Sequence, residues 1–162
     1  MSTTSTFQIA SARTPVTAIS AISCAKGGAY ASAAIDNSTN LDAFCHIKIT
    51  WTGTTSHLPV AGDPLKFYLL YAADGTNYED GTPSTNDGST APPTATPLNP
   101  DCFIGVASMY NDANAHTYVI RDRALLPFKF KLLVVNGSTG DSSSAVVVTA
   151  VVYGDNMQGV TP

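Results

Sequence analysis

Apolar and polar residues alternate along several parts of this chain, most regularly at residues 43–51. Side chains of a β-strand point alternately to the two faces of a sheet, so this alternation predicts a strand with one buried face. The inward set is Ala43, Cys45, Ile47, Ile49 and Trp51, and the outward set is Phe44, His46, Lys48 and Thr50.

Seven further segments carry strand patterns. They cover residues 14–23, 28–36, 65–71, 102–108, 116–121, 128–136 and 144–153. The first predicts Val16, Ala18, Ser20 and Ile22 on one face. Residues 65–71, LKFYLLY, are apolar on both faces and predict a central strand covered on both sides. Residues 136–141, NGSTGD, predict a hairpin loop joining the last two strands.

Composition also favours an all-β protein. Val, Ile, Thr, Tyr, Phe and Trp together number 54 of 162 residues, whereas Glu occurs once and Gln twice. The solvent-exposed face of an amphipathic helix is normally covered by Glu, Gln, Lys and Arg side chains. About eight strands without a helical stretch predict an antiparallel β-sandwich or jelly roll. We expect one domain at residues 14–155, an extended N-terminal arm at 1–13 and a C-terminal tail at 156–162.

A long proline-rich segment interrupts the strand pattern at residues 82–101. Proline lacks the backbone N–H that a central strand needs, so this segment is predicted to be a loop insertion. Loops of this length without secondary structure are uncommon unless they bind something. Pro92, Pro93 and Pro97 are therefore candidate interface residues.

The low content of charged residues limits the classes of partner that the protein is expected to bind. Charged residues make up 12% of the chain, the formal net charge is −4, and the hydroxyl residues number 20 Thr and 15 Ser. No basic surface is expected, which argues against nucleic-acid binding. Neither a membrane-spanning apolar run nor a signal-peptide pattern occurs, so we expect no membrane partner and a chain that stays where it is made.

The cysteines and histidines show no spacing typical of a metal site. Cys24, Cys45 and Cys102 are an odd number without a CxxC pair, which favours buried free thiols in a reducing compartment. Cys45 and His46 are neighbours in a strand and point to opposite faces, so they cannot form a catalytic pair. The motifs GxSxG, GxxxxGK[ST] and HExxH do not occur. No enzymatic activity and no cofactor are predicted.

The segment DGTNYEDG at residues 74–81 gathers acidic residues near two glycines. It does not match the EF-hand pattern, which places oxygen ligands at alternate positions. A solvated turn at the end of a strand is one interpretation and calcium binding is the other. The calcium hypothesis names Asp74, Asn77, Glu79 and Asp80.

Three segments together resemble a family of small virion structural proteins of tailed bacteriophages. They are AIDNSTNLD at 34–42, FYLL with DGTNYEDG at 67–81, and LPFKFKLLVVN at 126–136. The resemblance spans roughly residues 26–155. It implies a β-sandwich particle protein without catalytic residues. The expected role is capsid decoration, in which the protein binds and stabilises the assembled head as a cement protein.

The resemblance also implies the partners and location. The expected partners are the major capsid protein and the chain itself, as a homotrimer on the outer capsid surface after assembly in the host cytoplasm. Two alternatives remain open: a tail tube, collar or fibre module, and a carbohydrate-binding module with exposed loop aromatics Tyr78 and Tyr110. Besides the three prolines, the candidate interface residues are Phe7, Ile9, Arg13, Tyr78 and Tyr110.

Overall fold

The computed structural model describes residues 7–9, 15–38, 41–78, 100–140, 145–155 and 157–159. These residues form strands, turns and one short 3₁₀ helix, Pro100–Cys102. The strands are β1 Phe7–Ile9, β2 Val16–Ala25, β3 Ala29–Ala31, β4 Ile35–Asp36, β5 Phe44–Gly53, β6 Pro64–Ala72, β7 Phe103–Ser108, β8 Ala115–Ala124, β9 Lys129–Asn136, β10 Ala145–Asp155 and β11 Met157–Gly159. The all-β prediction is confirmed.

Two antiparallel sheets pack face to face. The first sheet has the order β2-β10-β5-β8 and the second has β3-β9-β6-β7, with β4 also paired to β9. If β3 and β4 count as one strand, the eight strands β2 to β10 lie in the orders 1-8-3-6 and 2-7-4-5. This is the order of a jelly roll, in which consecutive strands lie in opposite sheets except for the hairpin pair β6 and β7.

The core lies between the sheets, and two strand predictions hold for most of their residues. Cys45, Ile47, Ile49 and Trp51 of β5 are buried and the alternate residues are half-buried or exposed, but Ala43, predicted to face inward, lies before β5 and is exposed. Strand β6 is a central strand, paired with β9 on one side and β7 on the other. The predicted burial of both its faces holds only for its second half, where Leu70 and Ala72 on the outer face are buried, whereas Lys66 on that face is exposed.

The predicted facing of β2 is wrong beyond Ala18. Ala18 and its neighbour Ile19 are both buried, Ser20 is exposed and Ile22 is half-buried. The pairing with β10 shifts register here, and Ala21 has a φ of 44°. A β-bulge of this kind inserts an extra residue and reverses the side-chain alternation that follows.

The predicted strand at residues 28–36 is two short strands, β3 and β4. Between them Ser32 is buried, and its backbone N–H donates to the Leu132 carbonyl oxygen at 2.8 Å. The Ser32 hydroxyl accepts a hydrogen bond from the Leu132 N–H at 3.0 Å. A side chain thus replaces one backbone partner where the chain leaves regular pairing with β9.

The predicted hairpin at residues 136–141 is also wrong. Strand β9 lies in the second sheet and β10 in the first, so the loop crosses between sheets. Gly137 and Gly140 have no positive φ, unlike the residues of a tight hairpin turn. The crossing is fixed by Asn136, which is fully buried and donates from its side-chain amide to the Cys24 carbonyl oxygen at 2.9 Å.

Strands β1 and β11 form a two-stranded ribbon that is separate from the two sheets of the sandwich. Phe7 pairs with Gly159, Gln8 with Gln158 and Ile9 with Met157. The arm and the tail expected at the two ends of the chain therefore each contain a strand, and the two strands pair with each other. The sequence did not predict this pairing.

Candidate interaction surface

The outer face of the first sheet is broad and open. Register places the outward residues of its four strands side by side: Thr149 of β10 pairs with Thr50 of β5, which pairs with Thr117 of β8. The Thr50 and Thr117 hydroxyl oxygens are 3.4 Å apart. We call this the threonine–valine face. Its residues, all half-buried or exposed, are Thr17, Thr50, Thr52, Thr117, Val119, Val147, Thr149 and Val151.

Charge on this sheet is confined to one part of its surface. Lys48 pairs with Val119 in one row of the face. Next to it, the ring of His46 accepts a hydrogen bond from the Asp122 N–H at 3.2 Å, and Asp122 is mostly exposed. Apart from Lys48, which lies between Val119 and Val151 in that row, the threonine–valine face contains hydroxyl and aliphatic side chains without formal charge. A partner that covers this face would displace water from it and would desolvate few charged side chains.

The outer face of the second sheet is different because part of it is covered. Leu70 and Leu133, which point away from the main core, form a second buried cluster with Tyr78 and Cys102. Lys131 is fully buried in the same region, with its Nζ 4.5 Å from the centre of the Tyr78 ring. The expectation that Tyr78 is exposed is wrong: its exposed fraction is 4%.

Tyr110 is exposed, as expected, and it belongs to an aromatic stack. Its ring lies 4.3 Å from the His116 ring, nearly parallel, and His116 also contacts buried Trp51. His116 Nε2 is 2.7 Å from Asp112 Oδ1, a hydrogen bond that holds the pKa of Asp112 below its usual value. With Tyr78 buried, the glycan alternative rests on Tyr110 alone.

The acidic turn at residue 74 uses its carboxylate internally. Asp74 accepts hydrogen bonds from the backbone N–H groups of Thr76 and Asn77 and from the Asn77 side chain, at 2.7–2.8 Å. These bonds hold the pKa of Asp74 below its usual value, with the Asn77 backbone bond as the largest cause. The turn interpretation accounts for the described part of this segment. Glu79 and Asp80 lie outside the described residues.

The structure describes only some of the other candidate interface residues. Phe7 and Ile9 lie in β1, whereas Arg13, Pro92, Pro93 and Pro97 fall outside the described residues. The proline-rich segment leaves the described structure after Tyr78 and re-enters it at Pro100, next to Cys102. Both ends are therefore close to the second buried cluster, on the side of the molecule opposite the threonine–valine face.

The cysteines are buried and free, as predicted. Burial raises the pKa of Cys24 to about 11 and that of Cys45 to about 12, so both are thiols near neutral pH. Cys45 faces the core and His46 the outer surface, which confirms that they do not pair. No three His, Cys, Asp or Glu side chains converge to hold a metal ion within the described ranges.

Comparison with known proteins gives no family. No family model matches this chain, and no curated protein matches it. In the part of the chain that the structure describes, no helix is long and apolar enough to cross a membrane.

Proposed function

We propose that this protein is a non-enzymatic virion structural protein that decorates the capsid and stabilises the assembled phage head. The threonine–valine face is the observation that carries the proposal. It is an open sheet surface of hydroxyl and aliphatic side chains on a chain with only 12% charged residues. The centres of protein interfaces are depleted of charged residues in the same way.

The jelly-roll order of the strands is compatible with the proposal. Jelly rolls are common in viral capsid proteins and also occur in lectins, so the fold by itself favours neither capsid binding nor glycan binding. The exposure of Tyr78 and Tyr110 partly distinguishes the two hypotheses. Of these two tyrosines, which favoured glycan binding, Tyr78 is buried, whereas the residues of the threonine–valine face are half-buried or exposed.

The size of the face favours binding through several copies. Four strands about 4.8 Å apart and about ten residues long cover roughly 19 by 30 Å, or about 570 Å². A stable interface usually buries about 800 Å² on each partner. One face falls below that value, whereas two or more faces in an oligomer exceed it and bind with avidity. The form that we propose on the capsid, a homotrimer bound to the major capsid protein, meets this requirement.

The proposed mechanism is stabilisation by mass action. A protein that binds only the assembled shell lowers the free energy of that state by RT ln(1 + [L]/Kd) for each site. This amounts to about 2.7 kcal/mol at a hundredfold excess over Kd. Heads stripped of the protein should therefore break open at a lower temperature than decorated heads. A thermal-release assay that gives equal midpoints for the two would contradict the proposal.

Two valines provide a matched test of the face. Val119 on β8 and Val106 on β7 are 41% and 45% exposed, and each pairs with a strand lysine, Lys48 and Lys66 respectively. Val119→Glu and Val106→Glu should thus cost the fold similar amounts. We expect Val119→Glu to weaken binding to bare heads at least about tenfold, because it buries a charge at the interface. Val106→Glu should bind like the wild type.

The same binding assay separates the alternatives. Equal loss in both variants, or no loss in either, would rule out the threonine–valine face as the contact. Binding to isolated tails and not to heads would favour the tail module. Affinity for heads that depends on Val119 and not on Val106 is the result the proposal requires.

A further inference from the structure

The ribbon formed by β1 and β11 is a separate two-stranded sheet, and β11 follows the first-sheet strand β10 along the chain. Strand β10 pairs with β5 as far as Asp155, which is opposite Phe44, the first residue of β5. Strand β11 begins two residues later, beyond the end of the pairing between β10 and β5. Among the described residues, β1 and β11 pair only with each other.

The two strands of the ribbon are tied to the sandwich differently. Strand β11 is separated from β10, a central strand, by the single residue Asn156. Strand β1 reaches the edge strand β2 through six residues, 10–15, which span at most about 20 Å when extended. Between the pairs Ile9–Met157 and Val16–Val152, the N-terminal side has six residues and the C-terminal side four. Strand β1 is thus the strand with the longer tether.

Three residue pairs provide little stability to such a ribbon. An isolated two-stranded ribbon is marginally stable in water, and the outer edge of each of these strands offers unpaired backbone groups. Identical chains contain both β1 and β11, so the pairing seen within one chain is equally possible between two. Exchange of an identical element between copies keeps every native pair and adds a link between molecules at low cost.

We propose that β1 pairs with β11 of a second copy of this chain, in the register that the structure shows within one chain. The ribbon then links neighbouring copies. This inference concerns contacts between copies and does not depend on binding to a capsid.

Cysteine cross-linking distinguishes exchange from pairing within one chain. Gln8 and Gln158 are directly opposite each other in the ribbon. In the double variant Gln8→Cys/Gln158→Cys, oxidation should give covalently linked oligomers on a non-reducing gel, and their fraction should rise with protein concentration. The native thiols should not interfere, because Cys24, Cys45 and Cys102 are buried.

The control is the pair Thr50→Cys/Thr149→Cys, which lies opposite within the first sheet. Its disulfide should form inside one chain and leave a monomer on the same gel at every concentration. A ribbon variant that also forms only intrachain disulfides would overturn the proposal. Failure of the ribbon cysteines to link at all would overturn it too, since β1 would then pair with β11 in neither way.

A mixture of single variants guards against misfolding of the double variant. Chains with Gln8→Cys alone are refolded together with chains carrying Gln158→Cys alone, distinguished by mass. Exchange predicts that the mixed disulfide exceeds both homodimeric disulfides. A statistical distribution of the three products would contradict exchange.

Discussion

Asp63 anchors the loop between β9 and β10 to the start of β6 through one carboxylate. The residue lies just before β6, and it accepts hydrogen bonds from the Ser138 hydroxyl and from both the backbone N–H and the hydroxyl of Thr139. These bonds hold the pKa of Asp63 below its usual value of 3.8, with the Thr139 backbone N–H as the largest cause. The loop from β9 to β10 is therefore anchored by an ionised group.

This anchor predicts acid sensitivity. Because the folded-state pKa is lowered, the stabilisation is complete above the unfolded value near 3.8 and is lost as pH falls through the lower folded value. In Asp63→Asn, the Nδ2 amide cannot accept from Thr139. We expect the melting temperature to fall by several degrees at pH 7. The difference from wild type should shrink at acidic pH, as the pH falls below 3.8 and protonation of the wild-type carboxyl removes the same anchor.

Melting curves at the two pH values test this directly. Asp122→Asn removes one negative charge from a side chain that is 83% exposed, and asparagine tolerates the positive φ of residue 122. This control should melt like the wild type at pH 7. If Asp63→Asn is equally destabilising at both pH values, the ionised carboxylate is not the stabilising form.

At the scale of elements, the β9–β10 crossing leaves no room for a side chain at Gly137. A Cβ there would lie 2.8 Å from both Cγ and the carbonyl oxygen of Pro64 at the start of β6. We expect Gly137→Ala to lower the free energy of unfolding by about 1–3 kcal/mol, because backbone must move to relieve the contact. Urea denaturation measures this loss.

Gly105 in β7 is the matched control for Gly137. A Cβ at Gly105 would be 3.3 Å from the Tyr118 ring, and this side chain is able to shift. Gly105→Ala should change stability by less than about 1 kcal/mol, since alanine also lowers the entropy of the unfolded chain. Equal losses in the two variants would mean that the crossing is looser than the structure indicates.

The elements that the sequence predicted well are those whose pattern is local. Strand β5 shows in its alternation and β6 in its two apolar faces, since each pattern follows from where the strand's own side chains point. The bulge at Ala21 produces no recognisable sequence pattern, because alanine, serine and isoleucine occur on either face of a strand. Residues 136–141 have turn chemistry, but turn chemistry does not show whether the flanking strands pair.

The sequence predicted the chemical character of the candidate interaction surface but not the sheet on which it lies. Low charge and many hydroxyl residues indicated a surface suited to being covered, and alternation placed Thr50 on the outer side of its strand. Which sheet stays open depends on long-range packing of Tyr78 and Cys102 against Leu70 and Leu133. Residues far apart in the chain meet there, so their burial cannot be read from local sequence.

At the scale of the whole molecule, the sparse charge should make capsid binding insensitive to salt. Screening weakens attraction between exposed charges, and the paired rows that form the threonine–valine face contain a single formal charge, that of Lys48. We expect the Kd for bare heads to change less than about threefold between ~0.05 M and ~0.5 M salt. Sedimentation of heads with bound protein measures it. A tenfold or larger loss of affinity would show that charged groups elsewhere on the molecule make the contact.

The position of β10 has a consequence for how the chain folds. This strand is the last long strand in the sequence, yet it lies between β2 and β5, which come from the first third of the chain. During synthesis the first sheet cannot close until β10 has emerged, and until then β2 and β5 each lack an inner neighbour. Such distant pairings make folding slow and expose strand edges meanwhile. The yield of native protein should therefore depend on how quickly β10 becomes available to pair with β2 and β5.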